Sequence, residues 1–218
     1  REQHRNSAGG SSGEEFILDL KNELEVLEGV CKSVSSKLVT DPSIINHLVQ
    51  PIINNLKAMA LPESSPSPKQ ISAEVCRLTT LIQYLRLPRA LCSQQQQGMN
   101  QSEFIISLMR ETWSLLDVVS QKYPRDFNCG EKLCRLYKHA LRECGSVQFA
   151  PLLDSLVQQT VKNFSLSLLS PYLYLASVIV SEYGRNQAHS KLLYDMVANL
   201  ASTVFGALRT TEDFTANP

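Results

Sequence analysis

The sequence carries no excess of charge: 21 Lys and Arg balance 21 Asp and Glu, so no overall field draws the chain to nucleic acid or an anionic membrane, and charge-based recognition has to be local. Long hydrophobic runs are also missing. Stretches such as Leu173 to Val180 fall far short of the roughly 20 apolar residues that span a bilayer, which argues against membrane insertion. The six cysteines (Cys31, Cys76, Cys92, Cys129, Cys134, Cys144) show no paired spacing and no secretory leader accompanies them, so reduced thiols in cytosol or nucleus fit better than a disulfide scaffold. No Gly-rich phosphate loop, G-x-S-x-G elbow, H-E-x-x-H or Cys-x-x-Cys occurs, so neither an enzyme nor a cofactor is expected. The four histidines do not cluster; Cys129, Cys134 and His139 lie near one another in sequence, but Cys134 falls on an apolar arc and a fourth ligand is missing, so no metal site is expected.

What is present is helical periodicity, in eight segments, with no comparable stretch of strict alternation, and the fold class is therefore all-α. Residues 1–13 are polar and Gly/Ser-rich and read as a flexible segment, residues 14–209 as the helical repeats, and residues 210–218 as a frayed tail. The predicted helices are about 14–39, 42–61 with Asp41 as cap and Pro51 as a kink, 70–87 stopped by Pro88, 102–123 capped by Ser102, and 128–144 with Gly145 as a left-handed stop. Three more follow, at about 147–164, 171–184 with Ser170 as cap and Pro171 in first position, and 186–208. Loops are expected near 62–69 and 88–101, the second containing the run Gln94 to Gln97, read as a tolerated insertion.

The even-numbered helices begin near 42, 102, 147 and 187, so a two-helix unit recurs at roughly 40 to 60 residues, the range of HEAT or armadillo solenoids. Pro51 and Pro151 mark outer helices, and Gly145 and Gly184 close inner ones, so the chain reads as a cut from a longer array, opening on an inner helix and closing on an outer one. Met109 and Trp113 are expected in hairpin packing.

On the fifth helix, Lys132, Arg135, Lys138 and Arg142 fall within about 120° of arc at 100° per residue, while Leu133, Cys134, Leu136, Tyr137, Ala140, Leu141 and Cys144 fill the opposite arc. A solvated face is the plainer reading of that spacing; resemblance supplies another. The stretch Phe149-Ala150-Pro151-Leu152-Leu153-Asp154-Ser155-Leu156-Val157, with Tyr172-Leu173-Tyr174-Leu175-Ala176-Ser177-Val178-Ile179-Val180-Ser181-Glu182-Tyr183-Gly184, resembles the transportin-SR and importin thirteen branch of the importin-β family. Glu131-Lys132, Cys134-Arg135, Lys138 and Ala140-Leu141-Arg142 are similar to that family's arginine-rich inner helix.

The resemblance covers the last five helices, the first three only by general pattern. It implies a HEAT-type nuclear import receptor shuttling between cytoplasm and nucleus, whose basic inner helix grips phosphorylated RS segments of serine/arginine-rich splicing factors. Ran-GTP would act through the full-length receptor, mostly at its N-terminal repeats. Lysine at 132 and 138 departs from the pattern, because it keeps the charge but loses the planar fork. Nucleic acid is disfavoured, since four charges come without interleaved aromatics, and the rival function is a structural HEAT scaffold in a cytosolic assembly.

Overall fold

The computed structural model describes residues 19–35, 43–87 and 100–210. Eight α-helices lie among them: α1 Leu20–Ser35, α2 Ser43–Ala60, α3 Pro68–Tyr84, α4 Gln101–Lys122, α5 Phe127–Cys144, α6 Ser146–Ser167, α7 Ser170–Tyr183 and α8 Ser190–Thr210, the last preceded by a 3-10 turn, Gln187–His189. No strand occurs among the described residues. The cap at Asp41, the stop at Pro88, the glutamine run, Cys92 and the terminal segments lie outside them.

The helix ends differ from the expected caps in informative ways. Asn100, not Ser102, caps α4: its side chain accepts from the Glu103 N–H at 2.8 Å while the Glu103 carboxylate accepts the Asn100 N–H at 3.0 Å, a reciprocal box that satisfies two otherwise orphaned donors. Ser67 and Gln70 make the same box at α3, so that helix begins at Pro68, before the expected start. In α7 the cap position belongs to Leu169, and Ser170 is already helical. Gly145 has the expected positive φ of 76° but an extended ψ of 158°, and this one residue both ends α5 and begins α6. The left-handed residue is instead Leu168, at φ 58° and ψ 24°, after α6. Both α2 and α6 continue through their prolines, Pro51 and Pro151.

The helices stack in two rows. Odd helices pack on odd (α1 on α3, α3 on α5, α5 on α7) and even on even (α2 on α4, α4 on α6, α6 on α8), while α2 with α3, α4 with α5 and α6 with α7 form antiparallel hairpins between the rows. A continuous core runs between them through Leu56, Leu78, Leu81, Ile105, Met109, Leu136, Leu141, Phe149, Leu156 and Ile179, each at most 1% exposed. Each such side chain contributes about 1.5–3 kcal/mol by leaving water. Trp113 of α4 lies against Tyr137 of α5 with centroids 5.2 Å apart, the hairpin packing expected of it. Buried threonines satisfy themselves within their own helix, as where Thr112 donates to the Leu108 carbonyl at 2.8 Å.

Ion pairs join neighbours within each row. Glu23 of α1 pairs with Arg77 of α3, Arg86 beyond α3 with Glu143 of α5 at 2.5 Å, and Arg142 of α5 with Glu182 of α7 at 3.7 Å. In the even row Lys57 of α2 faces Glu111 of α4 at 3.9 Å, and Asp117 of α4 takes Lys162 of α6 at 3.2 Å. No described helix is long and apolar enough to cross a membrane.

Candidate cargo-binding face of α5

The position of α5 is fixed before its polar face comes into play. Asp126 caps it, accepting the Cys129 N–H at 2.8 Å. Gly130 then lets α7 come close: a Cβ there would stand 3.0 Å from Leu169 Cδ1 and 3.5 Å from Tyr172 Cε2. On the apolar arc, Tyr137 is 1% exposed, and its hydroxyl donates to Gln159 Oε1 at 3.1 Å, whose amide donates onward to Asp117 at 3.2 Å. Burial pushes the Tyr137 hydroxyl and the Cys134 thiol well above their ordinary ranges, so both stay neutral and serve as packing groups. Leu133, Cys134, Leu136, Ala140, Leu141 and Cys144 are buried, so the whole predicted apolar arc is inside.

The four predicted cations are partly exposed, but they do not form a bare stripe. Glu131 shares their arc, accepting Arg135 Nη2 on Oε1 at 2.6 Å and Lys132 Nζ on Oε2 at 2.7 Å. Burial raises the Glu131 carboxyl, yet the Lys132 hydrogen bond and the Arg135 charge outweigh it and hold the group below its ordinary value of 4.5. Lys138 places its ammonium 5.6 Å from the ring centroid of Tyr174, a cation–π contact with an exposed aromatic of α7. Arg142 lies further along, facing Glu182.

Between α5 and α7 these side chains border a cleft of about 350 Å³, lined by Glu131, Arg135 and Lys138 on one wall and by Ser170, Pro171 and Tyr174 on the other. The structure therefore brings Arg135 and Lys138 together at one cleft, sets Lys132 beside it on Glu131, and leaves Arg142 outside its lining. His139, also on this side, has Gln83 Nε2 at 3.1 Å from Nδ1 and 3.0 Å from Nε2. Among the described residues no three His, Cys, Asp or Glu side chains gather to hold a metal ion.

Glu131 stands next to Lys132 and four residues before Arg135, a spacing that predicts a helical ion pair, so its place among the cations is written in the sequence. Tyr174 and Glu182 left no such signal, because they reach α5 only through the packing of α7.

Residues 105–208, running from α4 to α8, match the family described as Transportin-3/Importin-13 fourth TPR domain. A solved structure, "Importin13 cytosolic state", superposes with a TM-score of 0.73 at 15% identity over 93% of this chain and 22% of that one. The chain thus spans about a fifth of the length of the importin-13 chain it matches. The helical solenoid fold is shared through α1 to α8, and the family match rests on α4 to α8, with the α5–α7 cleft inside the matched span.

Proposed function

We propose that this chain is a segment of a nuclear transport receptor of the importin-β family, in which the polar face of α5 binds protein cargo carrying phosphorylated RS segments. The observation that carries this reading is the coincidence of two independent features: the cation-bordered cleft between α5 and α7, and the family match over the same helices. Phosphoserine offers nearly two negative charges and three acceptor oxygens, and Arg135 can meet it with a planar fork while Lys132 and Lys138 add point charges nearby. Exposed Tyr174 supplies a flat apolar surface to the same cleft, suited to the extended backbone or the guanidinium groups of an RS peptide. The segment catalyses nothing in this reading. It works as part of a receptor that shuttles between cytoplasm and nucleus and answers to Ran-GTP through other repeats.

Titration of a fluorescent phosphorylated Arg-Ser peptide against the native protein and against the Lys132, Arg135, Lys138, Arg142→Ala variant tests it. Loss of four charged contacts weakens binding by about tenfold or more, and higher salt narrows the gap. Equal binding by both proteins at low salt leaves α5 as an idle face of a structural scaffold. Tighter binding of single-stranded RNA than of the peptide would reassign the face to nucleic acid.

A further inference from the structure

Resting on the reading of α5 as a site for phosphorylated cargo, we infer that Glu131 sets the selectivity of that site, turning away singly charged carboxylate ligands and admitting the dianionic phosphate of a phosphoserine. Both Glu131 oxygens are engaged, Oε1 by Arg135 at 2.6 Å and Oε2 by Lys132 at 2.7 Å, and the side chain is only 25% exposed. Two of the four cations are therefore already bonded to an anion carried on the same helix. A ligand must displace that anion or share its partners.

For a ligand carboxylate the exchange gains little. It offers the same unit charge and the same pair of oxygens, it returns Glu131 to water without its partners, and it loses the translational and rotational freedom that the tethered Glu131 does not have to lose. A phosphoserine brings about twice the charge and a third oxygen, so it bridges Lys132 and Arg135 while Glu131 keeps its bonds to them, and it avoids the displacement cost that a carboxylate meets in full. Lys138 adds a further positive charge at the cleft, its ammonium lying over the ring of Tyr174. Glu182 restrains Arg142 in the same manner but from another helix and at 3.7 Å, so its masking is weaker. The low pKa of Glu131 keeps the mask charged through mildly acidic conditions. A stripe of bare cations would favour any acidic peptide; one carrying its own carboxylate selects by charge density.

The test compares two peptides of identical sequence, one with phosphoserine and one with aspartate at every serine of an Arg-Ser repeat, so that attraction of Glu131 for peptide guanidinium groups cancels in the ratio. Affinities are measured for the native protein, Glu131→Gln and Glu182→Gln, with circular dichroism confirming the helical content of each. In the native protein the phosphopeptide binds far better than the aspartate peptide. Glu131→Gln binds both more tightly but the aspartate peptide most of all, so the phosphate-to-aspartate ratio falls by about threefold or more, and Glu182→Gln moves it less in the same direction. An unchanged ratio in Glu131→Gln, with phosphopeptide binding still lost in the four-alanine variant, overturns the selectivity role and leaves the cargo site standing. If the four-alanine variant binds the phosphopeptide as the native protein does, the cargo site fails and the selectivity role fails with it.

Discussion

Arg142 of α5 and Glu182 of α7 face each other at 3.7 Å across one step of the odd row, with side chains 50% and 33% exposed. Water screens such a pair, so Glu182→Gln lowers stability by less than about 1 kcal/mol in urea denaturation, and added salt erases the difference. Its larger effect is expected on anion binding, since it frees Arg142.

Arg77 is the opposite case. It bonds Glu74 Oε1 at 2.6 Å and also pairs with Glu23, and Glu74 is 3% exposed with Asn55 as its other partner, at 2.9 Å. Arg77→Ala leaves a buried carboxylate without its cation and costs about 3 kcal/mol, read as a fall in the denaturation midpoint. Arg77→Ala together with Glu74→Gln recovers much of that loss, because the stranded charge is gone.

Gly130 sets the spacing of α5 from α7. Alanine there must push Leu169 Cδ1 from 3.0 Å but gains helix propensity, so the two effects nearly cancel and stability changes by less than about 1 kcal/mol. Gly130→Leu forces the helices apart, costs about 2 kcal/mol or more, and opens the cleft enough to weaken phosphopeptide binding.

The helices themselves were legible in the sequence because burial at 3.6-residue spacing is written into each segment, as on α5, whose entire predicted apolar arc is inside. Cap identity was less so: Asn100 with Glu103 and Ser102 both present plausible starts, and the reciprocal hydrogen bonds of the first decide between them. The candidate site was readable only as far as one helix extends. Lys132, Arg135, Lys138 and Arg142 share an arc that spacing reveals, and Glu131 follows the same rule. Tyr174 and Glu182 depend on the register between α5 and α7, which Gly130, Leu169 and Tyr172 fix through packing and no periodicity records.

Thiol burial predicts an alkaline limit. Desolvation pushes Cys31 and Cys129 up from 9.0 to about 11 and Cys144 to about 12. The folded protein therefore holds protons that the unfolded chain releases: this contribution is intact below about pH 9 and is lost as the pH rises through the folded values. The urea midpoint falls between about pH 8 and about pH 10, and at the lower pH iodoacetamide labels the partly exposed Cys76 ahead of these three.

His139 sets an acid-side counterpart. Burial, then the charges of Lys138, Arg135 and Arg142, lower its pKa from 6.5 against the opposing pull of Glu143, and Gln83 of α3 is its neutral partner. The unfolded chain is protonated first, so stability declines as the pH falls below about 6.5. His139→Gln flattens that decline in denaturation curves recorded from neutral to mildly acidic pH.

Amide NMR spectra of the native protein, recorded while a phosphorylated Arg-Ser peptide is added, report most directly whether α5 holds cargo. The predicted result is a set of saturable shifts confined to residues 131–142 of α5 and 170–182 of α7, absent with the unphosphorylated peptide. Shifts centred on α2, α4 or α6, or none at peptide concentrations that saturate a micromolar site, would contradict it.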